Sequence, residues 1–223
     1  TVFDQGPFVE KQLENLTIEG TLGLTFAILI ILVFLGSIRS TLVTAISIPT
    51  SLLITFAGLL ISDYSLNLFT LSALTIAVGR VVDDSIVVIE NINRHLSYGE
   101  EKKSAIIQAV KEVAGAITSA TITTVAVFLP VALVGGVVGE LFRPFSLSFT
   151  IALLASLIVS LTIVPVLAYW FLKAPKVVGL VSEMNEQQVY DQMEKAREFE
   201  EQKERRSWLQ RGYIPILRTT QAH

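Results

Sequence analysis

Residues Gly20 to Ile38 read GTLGLTFAILIILVFLGSI, and the fold turns on how that run is interpreted. It contains no charged side chain. A helix rises about 1.5 Å per residue, so about 20 apolar residues cross a hydrocarbon core about 30 Å thick. A membrane strand would alternate apolar and polar positions, and AILIILVFL at Ala27–Leu35 does not. A helix at a protein–water boundary would keep one polar face, and none is visible. The run therefore predicts a transmembrane helix. Four more stretches of the same kind follow, at about Leu42 to Ile61, Leu68 to Ile89, Val113 to Val134 and Phe145 to Leu172. The expected fold is an all-α polytopic membrane bundle of five transmembrane helices plus a cytoplasmic amphipathic helix.

Composition agrees. Of 223 residues, 52% are hydrophobic, above the usual range for soluble domains, and the excess lies before Leu172. The absence of cysteine excludes disulfides and thiol chemistry. The two histidines, His95 and His223, cannot build a His-rich metal site. A formal net charge of −3 gives no sign of a nucleic-acid partner. No phosphate-binding GxxxxGK[ST] loop, HExxH or GxSxG occurs. We expect no cofactor, no metal and no enzymatic activity. The chain opens at Thr1 on a polar, helix-compatible stretch and reads as an excised piece of a longer protein.

Lysine and arginine excess sets direction. Arg39, Arg94, Lys102, Lys103, Lys111, Lys173 and Lys176 fall on one side, Lys11 and Arg143 on the other. This places the N-terminus outside and the tail in the cytoplasm. The inner linker from Asn91 to Glu112 carries Ala105, Ile106, Ala109 and Val110 on one face, the pattern of a short helix lying at the interface. Gly135, Gly136 and Gly139 suit tight outer turns, and Pro144 suits the start of the fifth helix. Pro49, Pro130 and Pro165 fall inside spans and predict bends, read as packing kinks. The expected units are an outer junction helix at 1–19, the bundle at 20–172, a cytoplasmic linker at 173–211 and a lead-in to another span at 212–223. Within the linker, Glu183 to Arg206 has eight acidic and five basic side chains, which fits a solvated helix.

The third span contains GRVVDDSIVVIEN, Gly79–Asn91. A carboxylate at membrane depth costs roughly 2.5–3.5 kcal/mol on insertion scales. Asp83 and Asp84 point about 100° apart, so both can face one interior seam. Burial and mutual repulsion tune such a pair toward proton exchange, and protonation changes which neighbours the helix prefers. Arg80, three residues before Asp83 and four before Asp84, is a candidate charge partner. The alternative is a local salt bridge that merely lets the helix exist in lipid. Ala73, Ala77 and Gly79 offer surfaces for close helix contact. Ser72 and Thr75, with Thr118, Ser119, Thr121, Thr123 and Thr124 of the fourth span, are candidates to line a polar path. Glu90, at the inner end, is given no proton-handling role.

These residues resemble the resistance–nodulation–division superfamily of proton-driven exporters, especially its multidrug and amphiphile branch. The signature is GRVVDDSIVVIEN, supported by FLGSIRSTLVTAISIP (Phe34–Pro49), FLPVALVGGVVGELFRPF (Phe128–Phe145), VFDQGPFVEKQLENL (from Val2) and, more weakly, Gly212–Arg218. The resemblance implies that the spans are helices two to six of twelve. It makes Asp83 and Asp84 a proton relay, neutralised by a lysine from the other half of the transporter. It also implies a homotrimer in the cell membrane, exporting amphiphilic small molecules bound by porter domains outside this chain. Protons and the lipid bilayer are the other partners. The piece alone would not transport. Arg80 departs from the apolar residue usual there. A lipid- or sterol-sensing module or a protein-translocation accessory of similar architecture is the alternative, and a metal-ion subtype is another within the exporter reading.

Overall fold

The computed structural model describes residues 21–23, 25–26, 28–33, 36–98 and 100–173, with isolated positions 11, 18, 194, 195 and 198. The expected junction helix, cytoplasmic amphipathic helix and lead-in segment lie outside the described residues apart from those isolated positions.

The described chain is all helix and turn. Helix α1 covers Thr21–Val33. Gly36, at φ +57°, turns the chain, and the Ser37 side chain accepts from Ser40 N to start α2, Ile38–Ile61. The first expected span thus ends before Ile38, because a left-handed backbone, which favours glycine, separates it from the next. Asp63, also left-handed at φ 57°, makes the turn after α2. Asn67 then caps α3, Leu68–Ser97, through a reciprocal box with Thr70. Helix α4 is Lys102–Ala132. Helix α5, Gly136–Ile158, runs through a π-turn at Val159–Ile163 into α6, Val164–Phe171.

Among the described residues, three helical stretches are long and apolar enough to cross a membrane: Ile38–Ile61, Lys102–Ala132 and Gly136–Phe171. Helix α3 has the length, 30 residues, but Arg80, Asp83 and Asp84 interrupt its apolar run. The described part of α1 is shorter.

On α2, hydroxyls share the buried face with apolar residues while large apolar side chains point outward. Helix α2 turns Ser40, Thr44, Ser47, Ser51 and Thr55 inward at 0% exposure and Leu53, Leu60 and Ile61 outward. Hydroxyls pack well between helices when the surrounding solvent is itself apolar. Most threonines answer to their own helix, as Thr44 and Thr55 donate to the carbonyls of Ser40 and Ser51.

Two expectations change. Ala105, Ile106 and Ala109 do not face an interface. They are buried in one core with Val88, Ile89, Ile92 and Leu96 of α3, since the linker continues as the first turns of α4. Pro144 does not start the last span; it lies inside α5. There Arg143 Nε donates to Ala132 O at 3.0 Å, placing a cation at the end of α4 where helix carbonyls are unpaired. At Pro165, which lacks an N–H, the preceding turn widens and Val164 N–H reaches Val159 O.

Ala73 and Ala77 are buried against Phe149, Ala152 and Leu153, as expected. Among the described residues, nothing lies within 4 Å of where a Cβ on Gly79 would sit. The close helix contact belongs to Gly58, whose Cβ would come within 2.6 Å of Ile151 Cγ2 on α5. Gly58→Leu is expected to destabilise the bundle by about 1–3 kcal/mol through overpacking, read as a lower thermal midpoint in detergent. An unchanged midpoint would contradict the packing.

Candidate functional site

Helix α3 is central: it contacts α2, α4, α5 and α6. Its two aspartates part company. Asp84 is 4% exposed, and its Oδ2 accepts from Ser156 Oγ of α5 at 3.0 Å. Asp83 lies on the exposed side of α3. Among the described residues, Asp84 and not Asp83 is buried against a neighbouring helix, because α5 packs on one side of α3 and adjacent residues diverge by about 100°.

Arg80 Nη2 lies 3.8 Å from Asp84 Oδ1, an i,i+4 pair, and the Arg80 side chain is 34% exposed. That separation gives Coulomb attraction without a hydrogen bond. Arg80 Nε is buried without a hydrogen-bond partner among the described residues. The buried carboxylate is thus held by one hydroxyl and one offset guanidinium, sparse support for a full charge in an apolar surround.

Next to Asp84, Ser85 Oγ donates to Val81 O and lies 2.7 Å from Ser47 Oγ of α2. Toward the C-terminal end of α3, Asn93 Nδ2 donates to Ser40 Oγ at 2.8 Å. Ser51 Oγ, one turn after Ser47 on α2, is buried without a partner among the described residues. Of the hydroxyls expected to line a path, Thr121 Oγ1 is buried without a partner among the described residues. Ser72, Thr75, Thr123 and Thr124 bond their own helix carbonyls. Sequence reading missed the α2 hydroxyls and Ser156. Their signal was the spacing 40, 44, 47, 51, 55, one face of a helix.

Near the C-terminal end of α3, Glu112 of α4 accepts hydrogen bonds from it. Those of His95 first, then Asn91, hold its carboxyl down at about 2, with the nearby Arg94 charge adding to the effect. The 31-residue α4 exceeds the roughly 20 residues needed to span, and Glu112 precedes its apolar part. It is an ionised carboxylate across the physiological range. Among the described residues no group of acidic, histidine or cysteine side chains could hold a metal ion.

A helical bundle with three helices apolar enough to cross a membrane, interior hydroxyls and a buried carboxylate at Asp84 defines a polytopic membrane protein. The chain belongs to the AcrB/AcrD/AcrF family, whose model matches residues 1–222. It is 49% identical over 173 residues to the swarming motility protein SwrC of Bacillus subtilis (strain 168), covering 76% of this chain and 16% of that protein. It is 43% identical over 173 residues to the multidrug resistance protein MdtC of Escherichia coli (strain K12), covering 78% and 17%. The chain thus spans about a sixth of the length of these curated relatives.

Proposed function

We propose that this chain is the proton-coupling part of a proton-driven exporter of drugs or amphiphilic compounds, with Asp84 and Asp83 as the transmembrane relay. The observation that carries this reading is the Asp84 carboxylate, 4% exposed inside a bundle whose outer faces suit hydrocarbon. Taking up a proton removes a charge that one hydroxyl and an offset arginine support weakly, so protonation changes the contacts α3 prefers. Arg80 is the charge partner within the chain. In this reading Asp83, exposed on α3, pairs with a cation from the other half of the transporter.

In this reading five spans cross the inner membrane, with the N-terminus outside and residues 173–211 forming a cytoplasmic linker with an amphipathic helix. Residues 1–19 join an outer domain, and 212–223 lead into another span. The porter domains bind substrate, and the full-length protein assembles as a trimer. The relative named for multidrug resistance supports the substrate class.

The test is efflux by the full-length transporter in proteoliposomes under an imposed pH gradient, with Asp83→Asn and Asp84→Asn made separately and assembly checked. Loss of gradient-dependent efflux is expected. Full coupling in both variants would remove the assignment.

A further inference from the structure

Three donors on one turn of α3 converge on a single carboxylate of α4. Asn91 Nδ2 lies 3.0 Å and His95 Nε2 2.9 Å from Glu112 Oε2, and Arg94 Nη2 lies 3.2 Å from Glu112 Oε1. Asn91 Nδ2 also donates to Ala109 O at 2.8 Å, while its Oδ1 accepts from Arg94 Nη2 at 2.6 Å. The amide is thereby fixed on both sides, and Asn91 is 6% exposed. Across the ring, His95 Nδ1 lies 3.2 Å from Glu100 Oε1, which ties the α3–α4 connection to the same cluster.

Asn91 follows Asp84 by seven residues. At 3.6 residues per turn the two point within about 20° of one direction, roughly 10 Å apart along the axis. Val88 lies between them on that face and is fully buried, at 0%. Apolar contacts tolerate small rotations of a helix about its axis, whereas directional hydrogen bonds from one turn do not. A side-chain oxygen roughly 6 Å from the axis moves about 2 Å in a 20° rotation. That is enough to break the 3.0 Å bond between Asp84 and Ser156.

We propose that Glu112 is a positioning residue for the buried carboxylate: by anchoring Asn91, Arg94 and His95 it sets the rotation of α3 that aims Asp84 at Ser156. The inference rests on the reading of Asp84 as a proton carrier. It assigns Glu112, whose partner Asn91 lies about two helical turns along α3 from Asp84, a role in coupling rather than in stability alone.

The test is a double-mutant cycle in the full-length transporter, reconstituted in proteoliposomes, with the efflux rate measured against pH. Glu112→Ala and Ser156→Ala should each lower the rate about tenfold, the size expected for one lost hydrogen bond to a charged group, and displace the pH optimum. The double variant should be no slower than the slower single one, because both act through the same bond. Independent changes at sites this far apart would multiply. Glu112→Gln, which keeps one acceptor oxygen, should recover part of the rate. If Glu112→Ala does not assemble, the same cycle is run with Glu112→Gln, whose smaller loss should again fail to multiply. Multiplying effects, or a wild-type pH profile in an assembled Glu112 variant, would overturn the proposal. Asp84→Asn that retained coupling would instead remove the proton-carrier reading on which it rests.

Discussion

Asp84→Asn in the full-length transporter is expected to reduce proton-coupled efflux at least about 100-fold, the lower end of what a lost proton-transfer group removes. Its stability should be unchanged or higher by about 1 kcal/mol. The two effects separate because the amide copies the shape of the carboxylate but cannot carry the proton. Its carbonyl still accepts from Ser156, so the 3.0 Å contact survives. What disappears is a charge inside the bundle, which a single hydroxyl and a guanidinium 3.8 Å away offset only in part. Arg80 loses its i,i+4 partner, but its side chain is 34% exposed, and such half-wet pairs contribute little. The measurement pairs gradient-driven efflux with a thermal midpoint in detergent. Efflux loss accompanied by a large fall in the midpoint would mean that the carboxylate is structural.

The second large effect is expected at the turn between α4 and α5. A Cβ on Gly139 would sit 2.5 Å from the Val134 carbonyl carbon and closer still to its oxygen. The obstacle is backbone, so no rotamer change relieves it. Either the first turn of α5 unwinds or the turn at Leu133–Gly135 opens. Both disturb the Arg143 bond to Ala132 O and the edge contact between Phe142 and Phe69, at 5.8 Å. Gly139→Ala should cost about 3 kcal/mol or more, in the range of mutations that strain a fixed backbone. Gly136→Ala should cost only about 1–2 kcal/mol, since its φ of +79° is unfavourable but its surroundings are open. Comparing the thermal midpoints of the two variants checks the order. A Gly139→Ala variant as stable as the parent would show that the turn adopts another path.

Much of the architecture was legible because hydrocarbon is an undemanding solvent to read. A run such as AILIILVFL admits one spanning structure in which every backbone group is paired internally. Helix ends were less legible. Helix α4 begins at Lys102, eleven residues before its expected start, because Ala105, Ile106 and Ala109 found an apolar partner in α3. Periodicity identified that face but not what would cover it. The glycine roles were partly exchanged: among the described residues, Gly58 rather than Gly79 meets a neighbouring helix.

The sequence by itself determined that this chain is a helical membrane protein and that charge lies within the apolar depth of its third expected span, since transfer costs depend on residue type and spacing alone. Which aspartate turns inward was decided only by the tertiary structure. Asp83 and Asp84 are chemically identical neighbours. The rotation that buries one and exposes the other comes from Ala73 and Ala77 packing on α5 and from Asn91, Arg94 and His95 gripping Glu112. Those contacts join residues distant in sequence, and no local pattern around the aspartates specifies them.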